Sequence, residues 1–147
     1  MTEKRTKKQK ANPRQPAAEV IHGDCIDTLR KFPDGHFDLI VTSPPYADNR
    51  KHTYGGIDPD NYVGWFAPRA REFRRVLKES GTFVLNIKEK VVAGERHTYV
   101  LDLILALRDG GWLWTEEFVW HKKNCHPGKW PNRFRDAWER CLQFNRR

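Results

Sequence analysis

The sequence predicts an α/β fold, with a parallel sheet flanked by helices and an antiparallel strand pair at its end. Three observations carry this. Short apolar runs at 37–42, 82–87 and 112–120 have strand length. Between them lie stretches with apolar residues at helical spacing. Glycine, proline and aspartate punctuate the joints. Alternating strands and helices imply a layered sheet.

The elements follow in order. Residues 19–22 read as a short strand ending at Gly23-Asp24, and 26–32 as one or two helical turns closed by Pro33-Asp34-Gly35. The run 37–42 is apolar without alternation, which predicts a strand covered on both faces. A loop spans 43–57. Asp58-Pro59 is a helix start, with Asp as cap and Pro in the first turn. Tyr62, Trp65, Phe66, Ala70, Phe73, Val76 and Leu77 mark one helical face, Pro68 should kink or split it, and Ser80-Gly81 should stop it. A strand at 82–87 follows. The helix at 97–108 has Val100, Leu103, Ile104 and Leu107 inward and stops at Gly110-Gly111. Strands at 112–120 and 137–144 enclose a polar, basic loop at 121–133.

The 147 residues carry a net charge of +8. Residues 1–18 hold Lys4, Arg5, Lys7, Lys8, Lys10 and Arg14 against Glu3, a net of +5 that leaves the body mildly basic at +3. This stretch lacks aromatic residues and predicts a disordered basic tail, either a solubilising arm or one that touches phosphates. It holds no apolar run, so no signal peptide is expected, and the protein is expected to be cytoplasmic. Three cysteines, an odd number, speak against a disulfide framework. His121, Cys125 and His126 lack a fourth ligand and match no zinc spacing, so no metal is expected.

The chemistry concentrates at the end of the second strand, where Asp38-Leu39-Ile40-Val41-Thr42 runs into Ser43-Pro44-Pro45-Tyr46. The turn delivers a hydroxyl, a stiff carbonyl and an aromatic face to one point. Those groups suit an exocyclic amine on a flat heterocycle. Such an amine is a poor nucleophile because its lone pair is delocalised into the ring. Methylating it needs acceptors for the amine hydrogens and in-line placement against a methyl donor. Ser43 and the Pro44 carbonyl supply acceptors, and Tyr46 supplies a stacking face for an extruded base.

The segment resembles the catalytic motif of the DNA amino-methyltransferases, which methylate N4 of cytosine or N6 of adenine. Gly23-Asp24-Cys25 is similar to the family's strand-end segment, whose acidic residue lies near the cofactor's adenine; Asp24 also reads as a simple helix cap. Trp120-His121-Lys122-Lys123-Asn124 resembles the family's Trp-x-Lys-x-Asn stretch lining the base pocket, and 139–144 its last strand before target recognition. The resemblance covers 19–147 and implies a partial Rossmann-like methyltransferase sheet. It implies S-adenosylmethionine as cofactor, touched by Asp24, and double-stranded DNA as partner. Catalysis then falls to Ser43, Pro44, Pro45 and Tyr46, and DNA contact to Arg50, Lys51, Lys122 and Asn124. Ser before Pro-Pro leans towards N4-cytosine over N6-adenine.

The element order is that of the subgroup whose catalytic half comes first. The family's Phe-x-Gly-x-Gly cofactor loop is not among the ten glycines here. The expectation is therefore the catalytic half of a methyltransferase, inactive alone: either one subunit of a split enzyme, completed by a second polypeptide that carries the glycine loop and recognition region, or a fragment of a longer one. Two other classes fit the same residues: a non-catalytic nucleic-acid-binding remnant, and a methyltransferase acting on RNA or a small molecule. Trp130 and Trp138 are either core or cover for a partner surface.

Overall fold

The computed structural model describes residues 18–47, 56–125 and 131–147. Most of the basic tail, together with Arg50, Lys51, His126 and Trp130, lies outside the described residues.

The chain opens with a short helix, α1 (Cys25–Leu29), whose first turn is capped by the Asp24 carboxylate accepting from the Ile26 N–H at 2.8 Å. The strand β1 (Phe37–Thr42) follows. Asp58 caps a single 3-10 turn, Pro59–Asn61, which leads into α2 (Tyr62–Val76). Then come β2 (Leu77–Ile87), a two-residue hairpin of β3 (Val91–Val92) and β4 (Glu95–Arg96), α3 (Tyr99–Asp109), β5 (Trp112–His121) and β6 (Trp138–Arg146).

The main sheet has the order β1-β2-β6-β5. β1 and β2 are parallel, and β6 inserts antiparallel between β2 and β5. The architecture is thus the mixed α/β sheet, ending in an antiparallel pair, that the sequence predicts. Antiparallel register places Phe83 opposite Phe144 and Leu85 opposite Leu142 on one face. That face meets Phe66, Ala70 and Phe73 of α2 and Val100, Leu103, Ile104 and Leu107 of α3, all buried. Phe83 lies within 6 Å of three other rings: Trp112 at 5.2 Å, Phe73 at 5.4 Å and Phe144 at 5.8 Å. Burying one such side chain contributes roughly 1.5–3 kcal/mol.

Four expectations are corrected. Residues 19–22 form no strand, and Val20 is 97% exposed: the segment has no partner in the sheet to take its backbone hydrogen bonds. The run 37–42 is covered on one face only. Ile40 packs against the core, whereas Leu39 and Val41 are 56% and 65% exposed and β1 is an edge strand.

Pro68 does not split α2, which continues through it to Val76. Proline forfeits one backbone hydrogen bond, which the burial of Phe66, Ala70 and Phe73 on either side of it offsets. Finally, Ser80-Gly81 does not stop the helix. The helix ends at Val76, and Leu77 already pairs with Phe37 in the sheet. The hairpin of β3 and β4, turned through Ala93 and Gly94 at positive φ, has only Gly94 as a signal in the sequence.

Candidate active site

The parallel pair β1 and β2 places the Ser43-Pro44-Pro45-Tyr46 turn at the carboxyl end of β1, beside the last residues of β2. Open α/β sheets bind their ligands at this end. The turn is pinned from two sides. The Tyr62 hydroxyl, from the first turn of α2, donates to the Pro45 carbonyl at 2.8 Å. Burial pushes the Tyr62 phenol far above its ordinary value, so it stays a donor. Tyr99 packs its ring 4.7 Å from that of Tyr62 and donates its own hydroxyl to the Lys88 carbonyl.

On the other side Tyr46 folds back onto the sheet. Its hydroxyl lies 2.8 Å from Asn86 Oδ1, 2.8 Å from Glu139 Oε2 and 3.3 Å from Ser43 Oγ. Ser43 Oγ is itself 3.2 Å from Asn86 Oδ1. The amide of Asn86 is oriented by its nitrogen, which donates to the Arg140 carbonyl at 3.1 Å, so its oxygen faces the two hydroxyls. Glu139 is only 6% exposed and forms an ion pair with Lys122. Burial raises the Glu139 carboxyl, but hydrogen bonds from Lys122 and Tyr46 outweigh it and leave the group below its ordinary value, hence ionised. Tyr46 moves the other way: burial, against a hydrogen bond from Ser43 and with the nearby Glu139 charge, pushes its phenol up to about 12.

The turn borders two clefts. One, of about 580 Å³, is lined by Asp24, Ser43, Pro44, Pro45, Trp65 and Arg69 among others. The other, of about 600 Å³, is lined by Tyr46, Lys122, Asn124, Arg135 and Glu139 among others. The hydroxyl and the prolines therefore meet one cleft and the tyrosine the other. The Asp24 carboxylate that caps α1 also lines the first cleft, 3.7 Å from the Arg69 guanidinium. Arg69 stacks in turn on the Trp65 ring at 4.0 Å. Lys122 and Asn124 line the second cleft. Trp138 is half-buried, with the Arg140 guanidinium 5.5 Å from its ring.

Asn86, Glu139, Tyr62 and Arg69 are site residues that sequence reasoning missed. A signal existed for two of them: Asn86 interrupts the apolar run Phe83-Val84-Leu85-Asn86-Ile87, and Glu139 sits next to Trp138 inside a strand. A polar residue in such a place is buried with a partner more often than not. Among the described residues, no group of three or more His, Cys, Asp and Glu could hold a metal ion, and no helix is long and apolar enough to cross a membrane.

Comparison with known proteins gives these arrangements a context. Residues 37–147 match a family model described as DNA methylase. The type II methyltransferase M.PvuII of Proteus hauseri is 32% identical over 116 residues, covering 76% of this chain and 34% of that protein. The solved PvuII DNA methyltransferase, cytosine-N4-specific, superposes with a TM-score of 0.72 at 30% identity, over 84% of this chain and 47% of that one. TTHA0409 of Thermus thermophilus, complexed with S-adenosyl-L-methionine, shares the fold with a TM-score of 0.64 at 24% identity, over 84% and 51%. The chain thus spans a third to a half of the length of these relatives.

Proposed function

The chain belongs to the DNA methylase family, and from that premise we propose that it is the catalytic half of an enzyme that methylates N4 of a cytosine swung out of duplex DNA. The observation that carries this is the position of the Ser43-Pro44-Pro45-Tyr46 turn between two clefts. A methyl donor on one side and an extruded base on the other would meet at Ser43.

The donor is S-adenosylmethionine, whose sulfonium supplies an activated methyl group. The first cleft suits its adenine end: flat apolar surface from Trp65 and the prolines, with the Asp24 carboxylate as acceptor for an amine. Asp24 and the turn would hold that end. The second cleft suits the base. Tyr46 offers its ring as a stacking face, Lys122 and Asn124 supply donors for the base edge, and Arg135 adds positive charge for the phosphates. Arg50 and Lys51 complete the proposed DNA contacts. Ser43 Oγ and the Pro44 carbonyl accept from the amine hydrogens, and their hold matters most as the nitrogen turns tetrahedral in the transition state.

The methionine end of the cofactor needs backbone that approaches closely, and we assign it to a complementary half bearing the Phe-x-Gly-x-Gly loop and the recognition region, on a second polypeptide or on a longer form of this one. Its seat is the edge of β1, where an added strand would take up the unpaired backbone groups, and the open face beside it, where Leu39 and Val41 are exposed. By itself the chain should bind the cofactor no better than about millimolar and turn over no DNA.

Single-turnover methylation by the assembled enzyme tests the site. Tyr46→Ala should weaken base binding by about 1–3 kcal/mol through lost stacking. Ser43→Ala should leave binding nearly intact and slow methyl transfer. Wild-type rates in both variants would overturn the assignment.

A further inference from the structure

Methylating an amine releases a proton, and the turn described above has only neutral acceptors for it. Resting on the methyl-transfer reading, we propose that Glu139 is the positioning residue that receives this proton through Ser43 and Tyr46. The three groups form a continuous chain: Ser43 Oγ to Tyr46 hydroxyl at 3.3 Å, and Tyr46 hydroxyl to Glu139 Oε2 at 2.8 Å.

The direction of the chain follows from proton counting. Tyr46 and Ser43 bring one proton each to two acceptors, Asn86 Oδ1 and the Glu139 carboxylate. An ionised carboxylate is the stronger acceptor and takes the Tyr46 proton. The Ser43 proton then has two acceptors, the Tyr46 oxygen at 3.3 Å and Asn86 Oδ1 at 3.2 Å; the first completes the path to Glu139, and either leaves Ser43 lone pairs for the amine. Asn86 cannot serve as the sink, because an amide oxygen is not basic; its nitrogen donates to the Arg140 carbonyl, which fixes its oxygen as the alternative acceptor for the Ser43 proton. Glu89 and Asp136, the other carboxylates lining the second cleft, are ion-paired with Arg140 and Arg96 as Glu139 is with Lys122, but it is Glu139 that bonds the Tyr46 hydroxyl. Among the described residues only Glu139 combines burial, negative charge and a bond to the turn.

The balance is complete. The amine lone pair forms the new N–C bond, the C–S bond to the donor methyl breaks, and its electron pair stays on sulfur. The nitrogen is then cationic until it loses a proton. That proton passes to Ser43 as the Ser43 proton moves to Tyr46 and the Tyr46 proton to Glu139. Both hydroxyls end as they began, the product amine and thioether are neutral, and Glu139 is a neutral acid beside Lys122. Exchange with water in the open cleft resets it.

The test uses the whole enzyme containing this chain and three variants, Glu139→Gln, Tyr46→Phe and the pair together. Base capture is read from the fluorescence of 2-aminopurine placed beside the target base, and chemistry from single-turnover rates in H2O and D2O. Each single variant should capture the base like wild type and methylate on the order of 100-fold more slowly. The pair should be no slower than either single change, because both interrupt one path. The wild-type rate should fall in D2O, and the variants should lose that sensitivity. Tyr46→Phe keeps the Glu139–Lys122 pair, so its loss cannot be laid to an unpaired lysine. An undiminished rate in Glu139→Gln, equal losses of capture and rate, or losses that multiply in the pair would each overturn the proton path. A wild-type enzyme without turnover would instead overturn the methyl-transfer reading beneath it.

Discussion

Asp136 shows how single residues brace the cleft beside Tyr46. Its carboxylate meets Arg96 at 2.6 Å, Arg133 at 3.5 Å and Lys88 at 3.6 Å, joining the β3–β4 hairpin, the end of β2 and the approach to β6. Burial pushes the carboxyl up, and these three cations pull it further down, leaving it below its ordinary value of 3.8. A depressed pKa stabilises the fold above the unfolded value, and the contribution drains away as pH falls through the folded one. Asp136→Asn should therefore lose about 1–2 kcal/mol at neutral pH, discounted because Arg96 is half-exposed. Urea unfolding of both proteins should show the gap narrowing below roughly pH 4. A gap that stays constant with pH would show that the ion pairs contribute nothing. Of the site, Ser43, Pro44, Pro45, Tyr46, Lys122 and Asn124 were legible as a motif. Asn86 and Glu139 stand out only as polar residues within strands; that both meet Tyr46 depends on the pairing of β2 with β6, in which Asn86 faces Cys141. No local pattern encodes that register.

At the scale of elements, periodicity located the helices and missed their junctions. Val100, Leu103, Ile104 and Leu107 are all buried, as their spacing requires. So are Tyr62, Phe66, Ala70, Phe73 and Val76, whereas Leu77 is buried as the first residue of β2. The chain passes from helix to strand without a loop because Leu77 tucks under Gly81. A β-carbon at Gly81 would lie 2.7 Å from Leu77 Cδ1 and 3.0 Å from the Lys78 carbonyl oxygen. The register of β1 against β2 slips over this stretch, between Phe37 and Leu39. Glycine here serves close packing and does not end a helix. Gly81→Ala should lower stability by about 1–3 kcal/mol through overpacking against a fully buried leucine. A chemical denaturation midpoint equal to or above wild type would contradict this.

On the scale of the molecule, the sheet is finished on one side and open on the other. Helices cover the face of Phe83, Leu85, Leu142 and Phe144, while Leu39 and Val41 on β1 and Phe118 and Trp120 on β5 remain exposed. The fold class was legible because alternating strands and helices leave few topologies. The open face was not, because an apolar run looks the same whether or not something covers it. The account makes this chain half of an enzyme whose turn at Ser43 directs a methyl group to a cytosine amine. The most direct measurement uses the whole enzyme containing this chain, isotopically labelled S-adenosylmethionine and duplex DNA, followed by digestion and mass spectrometry of the nucleosides. The account predicts labelled N4-methylcytosine with wild type, and its near-disappearance with Ser43→Ala. Labelled N6-methyladenine would correct the base, and an absence of any methylated nucleoside, or an equal yield from Ser43→Ala, would contradict the central claim.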